Sequence, residues 1–411
     1  MTARAARLVS ALATLVAVAV LGLATGCAAP QATVVAAELP FEQAVQQATD
    51  GLIGQTQKLP ALFARVEARV AKRGVVVDPM FDATSGQQTQ ATTLLETRVT
   101  ARIAERFEGF ELLPFQSANL ARAQYLLTGT MTRVDAPAAA GAAPRGPKAL
   151  QIALALTEIR TGTVVAQASA LARDSGIDHT PLPYFRDSPV LVKDRVVEGY
   201  AKTTVTPPGE RGDPYYLDRV VSATLIGEAS ALYNQERYVE ALAKYRSALA
   251  LPTGEQLRIM NGIYLASAKL GRTAEAEQAF GRVVALGIAY NELGVKFLFN
   301  PGSTEFWSDA RVSGPYGMWL RQIAKESVAA RACMDIVGHT SRTGSESVND
   351  ALSLSRANAV RQRLLGEAQT LGGRTKASGR GFRQNIVGSG TDNAVDALDR
   401  RVEFRIVPCP G

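Results

Sequence analysis

Apolar and polar positions alternate along this chain with periods that change by region. Across 41–72, Leu52, Leu59, Leu62, Val66 and Val70 fall near one stripe, which predicts a helix. The run GVVVDPMF (74–81) is apolar and β-branched, as suits a buried strand. TTLLETRVTARIAERF (92–107) has the spacing of an amphipathic helix. FELLPF (110–115) and AQYLLTGTMTRV (123–134) read as strands. ALQIALALTEI and TVVAQASALA read as a hairpin about Arg160-Thr161-Gly162. Between them APAAAGAAPRG (136–146) is a low-complexity loop with no material for a core. Strands mixed with helices in this order predict an α+β or α/β domain over 41–172.

Residues 173–213 contain Pro181, Pro183, Pro189, Pro207 and Pro208. Proline interrupts helices, so this stretch is expected to be an extended crossing segment. From 214 to 290 the period is helical, and it repeats. In YVEALAKYRSAL and TAEAEQAFGRVV, Ala241 aligns with Ala276, Tyr245 with Phe280 and Ala248 with Val283, each 35 residues on. Two such units cannot bury both of their ends, so the module is expected to dock on a neighbour. Over 291–411, VKFLFNPGSTEF predicts a strand, YGMWLRQIAKESV a helix and CMDIVGHTS a strand. SESVNDALSLSRANAVRQRLLGEA predicts a long helix and RTKASGRGF a short strand with a turn. RRVEFRIV alternates strictly, with Val402, Phe404 and Ile406 on one face and Arg401, Glu403 and Arg405 on the other. The chain thus reads as a multidomain α+β protein.

The bulk numbers narrow what such a chain does. A length of 411 residues suits two to four domains. Apolar residues make up 46% and charged residues 20%, which is globular rather than disordered. Net charge is +7, or +5 without Arg4 and Arg7 of the first 26 residues. No long basic run and no aromatic-plus-basic motif is present, so nucleic acid is not an expected partner. Only two histidines occur, His179 and His339. No Ser-His-Asp order, HExxH, Cys-x-x-Cys or P-loop appears, so neither an enzyme nor a metal or cofactor site is expected. His339 is read as ordering its loop.

Arg4 and Arg7 precede an apolar run from Leu8 to Leu23, and small residues follow before Cys27. That is the order of a secretory signal over 1–26; the run of about 16 residues is short for a spanning helix. LATGC resembles the bacterial lipobox, although Ala24 stands where that motif usually has Leu. The resemblance implies that Cys27 is lipidated and that 27–40 is a tether. Ala28 after the cysteine implies sorting to the outer membrane, with the body facing the periplasm. Export places Cys333 and Cys409 in an oxidising compartment, where they are a candidate disulfide; two buried free thiols are the alternative.

Three further resemblances stand on quoted residues. The opening strand, the helix before YLLTGTMTRV and the TEIRTGTVVA hairpin resemble the periplasmic lipoprotein domain of the CsgG and penicillin-binding-protein-activator type. Such a domain implies contacts with envelope proteins. The 35-residue repeat, with AKLGR before its second copy, resembles the tetratricopeptide family. GHTSRTG, then N…LS…RA, then G.G and DRRVEF resemble the OmpA-like C-terminal domain. That last resemblance implies an α/β sandwich that grips the diaminopimelate of peptidoglycan. It assigns a ligand role to the loop at Ser341 and Arg342, to Asn349 and Arg356 on the helix, and to Arg401. Asn349, Ser353 and Arg356, at i, i+4 and i+7, share one helix stripe. Ser341 stands where the family has an aspartate for the ligand's ammonium, so it supplies a hydroxyl without the charge. Three readings remain open: weakened wall binding, another anionic ligand held by Arg342 and Arg356, or a scaffold that has lost binding.

Overall fold

The computed structural model describes residues 38–56, 72–135, 148–191, 193–300, 302–386, 390, 396 and 399–409. The expected signal segment, the lipidation site Cys27 and most of the tether lie outside these residues, as do 57–71 and the 136–147 loop. Among the described residues no helix is long and apolar enough to cross a membrane.

Helix α1 (Phe41–Thr56) opens the N-terminal domain and buries Phe41, Ala44, Val45, Ala48, Leu52 and Ile53. Strands β1 (Arg73–Val77) and β2 (Phe81–Asp82), helix α2 (Gln90–Arg106), then β3 (Phe110–Leu113), β4 (Tyr125–Asp135), β5 (Lys148–Glu158) and β6 (Thr163–Arg173) follow. They form one sheet in the order β3-β1-β4-β5-β6, with β2 beside β4. β3, β1 and β4 run parallel, and β4, β5 and β6 are an antiparallel meander. The Val75–Val77 run is buried throughout, as a central parallel strand covered on both faces requires. α2 starts where Thr89 and Thr92 cap each other: Thr92 N–H donates to Thr89 Oγ1 at 3.2 Å and Thr89 N–H to Thr92 Oγ1 at 2.9 Å.

The segment 173–213, expected to be extended, carries two helices: a short one at Pro183–Asp187 and α3 (Arg195–Val205). Proline density hid them. Pro183 lies in the first turn of its helix, where a missing N–H costs nothing. The stretch between Pro189 and Pro207 is free of proline, and Asp194 caps α3 by accepting from Val196 N–H and Val197 N–H at 3.0 Å. α3 packs on the sheet, where Tyr200 Oη accepts from Gly129 N–H at 2.8 Å and donates to Gly129 O at 3.0 Å.

Helices α4 (Val220–Asn234), α5 (Tyr238–Leu249), α6 (Leu257–Lys269) and α7 (Thr273–Tyr290) form two helical hairpins. All six residues aligned by the repeat are buried. The turn residues Glu236 and Gly271, also 35 apart, both have left-handed φ. Both ends of the module are covered. At one, Tyr216 Oη donates to Asp78 Oδ2 of the N-terminal domain at 2.5 Å. At the other, Trp319 stacks on Phe280 and its Nε1–H donates to Tyr264 Oη at 2.8 Å.

The C-terminal domain contains β7 (Gly294–Val295), α8 (Tyr316–Ala329), β8 (Cys333–Gly338), α9 (Glu346–Glu367), β9 (Thr375–Gly379) and β10 (Val402–Val407). The sheet order is β7-β10-β8-β9; β10 is antiparallel to its neighbours and β8 is parallel to β9. The strand expected over 295–306 shrinks to β7. Beyond it the chain doubles back, pairing Phe299 with Phe306, and Phe297, Phe306, Tyr316 and Trp319 form an aromatic cluster. Cys333 and Cys409 are joined by a disulfide with Cα atoms 5.2 Å apart, tying the start of β8 to the residues after β10.

Candidate functional site

β8 and β9 end side by side, and their carboxyl ends deliver two loops to the start of α9. Thr340 N–H donates to Gly381 O, and Arg380 N–H donates to Gly338 O, each at 3.0 Å. These bonds lock the GHTS loop to the turn after β9. Ser353 on α9 fastens both to the helix: its Oγ donates to Asp350 O and accepts from Gly381 N–H, each at 2.9 Å. A Cβ at Gly379 would stand 2.5 Å from Ser353 Oγ, and one at Gly381 2.6 Å from Asp350 Oδ1. At Gly379 the α9 backbone leaves no room for a side chain, since Leu354 N would lie 2.6 Å away, and Gly381 holds a left-handed φ of 51° that favours glycine. Asn349 Nδ2 donates to Thr343 O at 2.8 Å and to Ser345 O at 3.0 Å, which ties down the rest of the loop.

Beneath the loop lies a charged knot. Arg401 Nε and Nη2 both donate to Glu403 Oε1, at 2.8 and 2.6 Å. Arg405 donates from the same two positions to Glu403 Oε2, at 3.0 and 2.8 Å. His339 Nε2 lies 3.5 Å from Glu403 Oε1, and His339 N–H donates to Arg401 O. Burial alone would raise the Glu403 pKa. His339 and the guanidiniums outweigh it and hold the carboxyl well below the usual range. Burial lowers the His339 pKa and so favours the neutral ring.

Residues 298–397 match the profile of the OmpA family. The C-terminal domain is OmpA-like. Solved structures similar to this chain include the peptidoglycan-associated lipoprotein from Burkholderia pseudomallei, at 26% identity over 28% of this chain and 89% of that one, TM-score 0.23. The cell wall anchor of the T6SS from Pseudomonas aeruginosa matches at 22% identity over 28% and 78%, TM-score 0.23. A putative MotB-like protein from Desulfovibrio vulgaris matches at 21% identity over 37% and 97%, TM-score 0.25. The search of curated proteins gave no match.

Within the OmpA-like domain the residues assigned a ligand role are unequal. Ser341 is buried, with its Oγ 3.4 Å from Thr343 Oγ1. Arg342 is exposed. Asn349, Ser353 and Arg356 share the buried face of α9, as their spacing predicts. Arg356 is only 4% exposed. Its Nε donates to Ser303 O at 3.1 Å and its Nη2 to Asn300 O at 3.3 Å, and the guanidinium sits 4.9 Å from the Phe299 ring centre. The fork assigned to a ligand carboxylate thus holds two backbone carbonyls. Arg401, also assigned to the ligand, is committed to Glu403 and to Gln384 O. Cys27 lies outside the described residues. Sequence reasoning overlooked Glu403 as the centre of this knot. The signal was present: Arg401, Glu403 and Arg405 at i, i+2 and i+4 share one face of β10.

Proposed function

We propose that this chain is an outer-membrane-anchored periplasmic lipoprotein whose OmpA-like domain contacts peptidoglycan non-covalently. Cys27 is its lipidation site, and several acyl chains on one residue give stable anchoring. The CsgG-like N-terminal domain and the tetratricopeptide-like hairpins present surfaces to envelope proteins, and the chain binds rather than catalyses. The observation that carries the wall-binding reading is the loop of Gly338–Ser341, locked to Gly381 and Ser353 at the carboxyl ends of β8 and β9, within the matched residues 298–397.

Two observations favour a second reading, a scaffold whose OmpA-like domain has lost or changed wall binding. Ser341 supplies no charge, and Arg356 already holds the carbonyls of Asn300 and Ser303. Co-sedimentation of the purified soluble body with cell-wall sacculi tests both. Retention of the wild type, increased by Ser341→Asp, is the outcome expected of a weakened wall site. A charge-assisted hydrogen bond to an ammonium adds about 1.5–3 kcal/mol. Absence of retention for both proteins refutes the wall reading and leaves the scaffold.

A further inference from the structure

The rim of the OmpA-like domain carries two arginines that the fold does not use. Arg342 and Arg380 are both exposed, and among the described residues neither guanidinium has a partner. Among the described residues, Arg383, Glu403 and Asp399 are engaged elsewhere. Arg383 donates to Glu346 and to Asp350, each at 2.9 Å. Glu403 is held by Arg401 and Arg405. Asp399 is buried and accepts from Ile386 N–H at 2.7 Å. Among the described residues no carboxylate is bonded to Arg342 or Arg380, so this part of the rim is cationic.

The backbone brings the two together. Arg380 N–H is bonded to Gly338 O, and Thr340 N–H to Gly381 O. Paired strands lie about 4.8 Å apart. Arg342 follows Thr340 by two residues, which adds at most about 7 Å. Two side chains of arginine length meet easily on one group across that span. Gly379 is pressed onto the α9 backbone and Gly381 holds a left-handed φ, so Arg380 is the residue of this Gly-Arg-Gly turn that carries a side chain.

We propose that Arg342 and Arg380 form the anion-binding edge of the wall site and take a carboxylate of the peptidoglycan stem peptide. This rests on the wall-binding reading above. A planar guanidinium fork matches a carboxylate, and two forks on one rim favour a ligand with no positive charge to place there. The charge missing at Ser341 and the charge added at Arg380 act in the same direction: the rim favours the acidic parts of the stem peptide over its ammonium.

Calorimetric titration of the soluble body with the tripeptide L-Ala-γ-D-Glu-diaminopimelate, alongside sacculus co-sedimentation, tests this. Arg342→Gln and Arg380→Gln are each expected to weaken binding about tenfold. Lys376→Gln, which removes one exposed charge at the far end of β9, is expected to leave binding unchanged. A tripeptide with amidated carboxylates is expected to bind the wild type as weakly as the acid binds the arginine variants. Full-strength binding by both variants overturns the proposal while leaving the wall reading intact. So does equal binding of acid and amide, or a loss matched by Lys376→Gln. Competition by inorganic phosphate with no preference for the acid tripeptide points to a phosphate polymer instead. A wild type that binds neither sacculi nor tripeptide removes the wall reading and this proposal together.

Discussion

Asp78 is buried and Glu403 partly buried, with 18% of its side chain exposed, and the protein treats the two carboxylates in opposite ways. Asp78 follows β1 at the seam between the N-terminal sheet and the helical hairpins, and is 3% exposed. Its side chain has one neutral partner, Tyr216 Oη, at 2.5 Å. Burial pushes its pKa up to about 7; Tyr216 and Arg258 oppose the rise, and Glu96 adds to it. Arg258 is close enough to act but is bonded to Asp194, 3.2 Å away. Burial also raises Glu403, which is less deeply placed, yet His339 and the guanidiniums of Arg401 and Arg405 keep it ionised. Burial sets the cost in both places, and the nearest cation decides whether the carboxyl keeps its charge. The seam is therefore tuned to neutral pH, whereas the base of the OmpA-like loop stays charged throughout.

Removing the anion at the charged end gives the largest expected effect. Glu403→Gln takes the Glu403 charge away from Arg401, which is only 4% exposed. Stripping one partner from a buried pair costs about 3–5 kcal/mol. Arg405 is more exposed and contributes less. Chemical denaturation at pH 7 measures the loss. A change under about 1 kcal/mol would show that the knot is not what holds the loop.

The seam gives the next effect, and its sign is opposite to that of an ion-paired carboxylate. The folded state binds the Asp78 proton more tightly than the unfolded chain, since its pKa is about 7 against 3.8. Stability from this group is therefore full at acid pH and is lost as pH rises from about 4 to 7. At about 1.4 kcal/mol per unit, the decline is on the order of 2–4 kcal/mol. Glu292, pushed up to about 7 by burial and by Asp194 and Glu198, declines in the same direction. Asp78→Asn is expected to leave stability at pH 4 nearly unchanged, to raise it increasingly from there to pH 8 and to flatten the profile to the Glu292 share. A variant with the wild-type profile would place the titration elsewhere.

The contrast also marks what the sequence reveals. Periodicity predicts β8, α9 and β10, and the stripe of Asn349, Ser353 and Arg356, because those patterns are local. The pairing of Cys333 with Cys409 is the one that the export reading and a count of thiols lead one to expect. The partners of Arg356 are not visible, because Asn300 and Ser303 reach it only after the chain doubles back beyond β7. Asp78 reads as the end of an apolar strand, and Tyr216, 138 residues away, gives no sign that it closes a seam. α3 was hidden by proline density, although its cap at Asp194 stood in a proline-free window. Patterns along the chain are legible, whereas the partner of a buried charge depends on which elements later meet.

Asp194→Asn tests whether a cation alone separates the two carboxylates. Asparagine keeps the oxygen that caps α3 but has no charge to hold Arg258. Arg258, buried in the same seam, then acts on Asp78 unopposed and moves it toward the condition of Glu403. The same change removes a negative charge that raises Glu292. The decline of stability with pH is expected to shift down by about one unit, since an opposite charge nearby favours the ionised form. Thermal midpoints measured from pH 4 to 9 for wild type, Asp194→Asn and Asp194→Asn with Asp78→Asn separate the contributions. In the double variant the Asp78 share disappears and only the shifted Glu292 share remains. An unmoved profile in the single variant would mean that Arg258 does not reach Asp78, and that depth of burial, rather than the nearest cation, separates the seam from the OmpA-like loop.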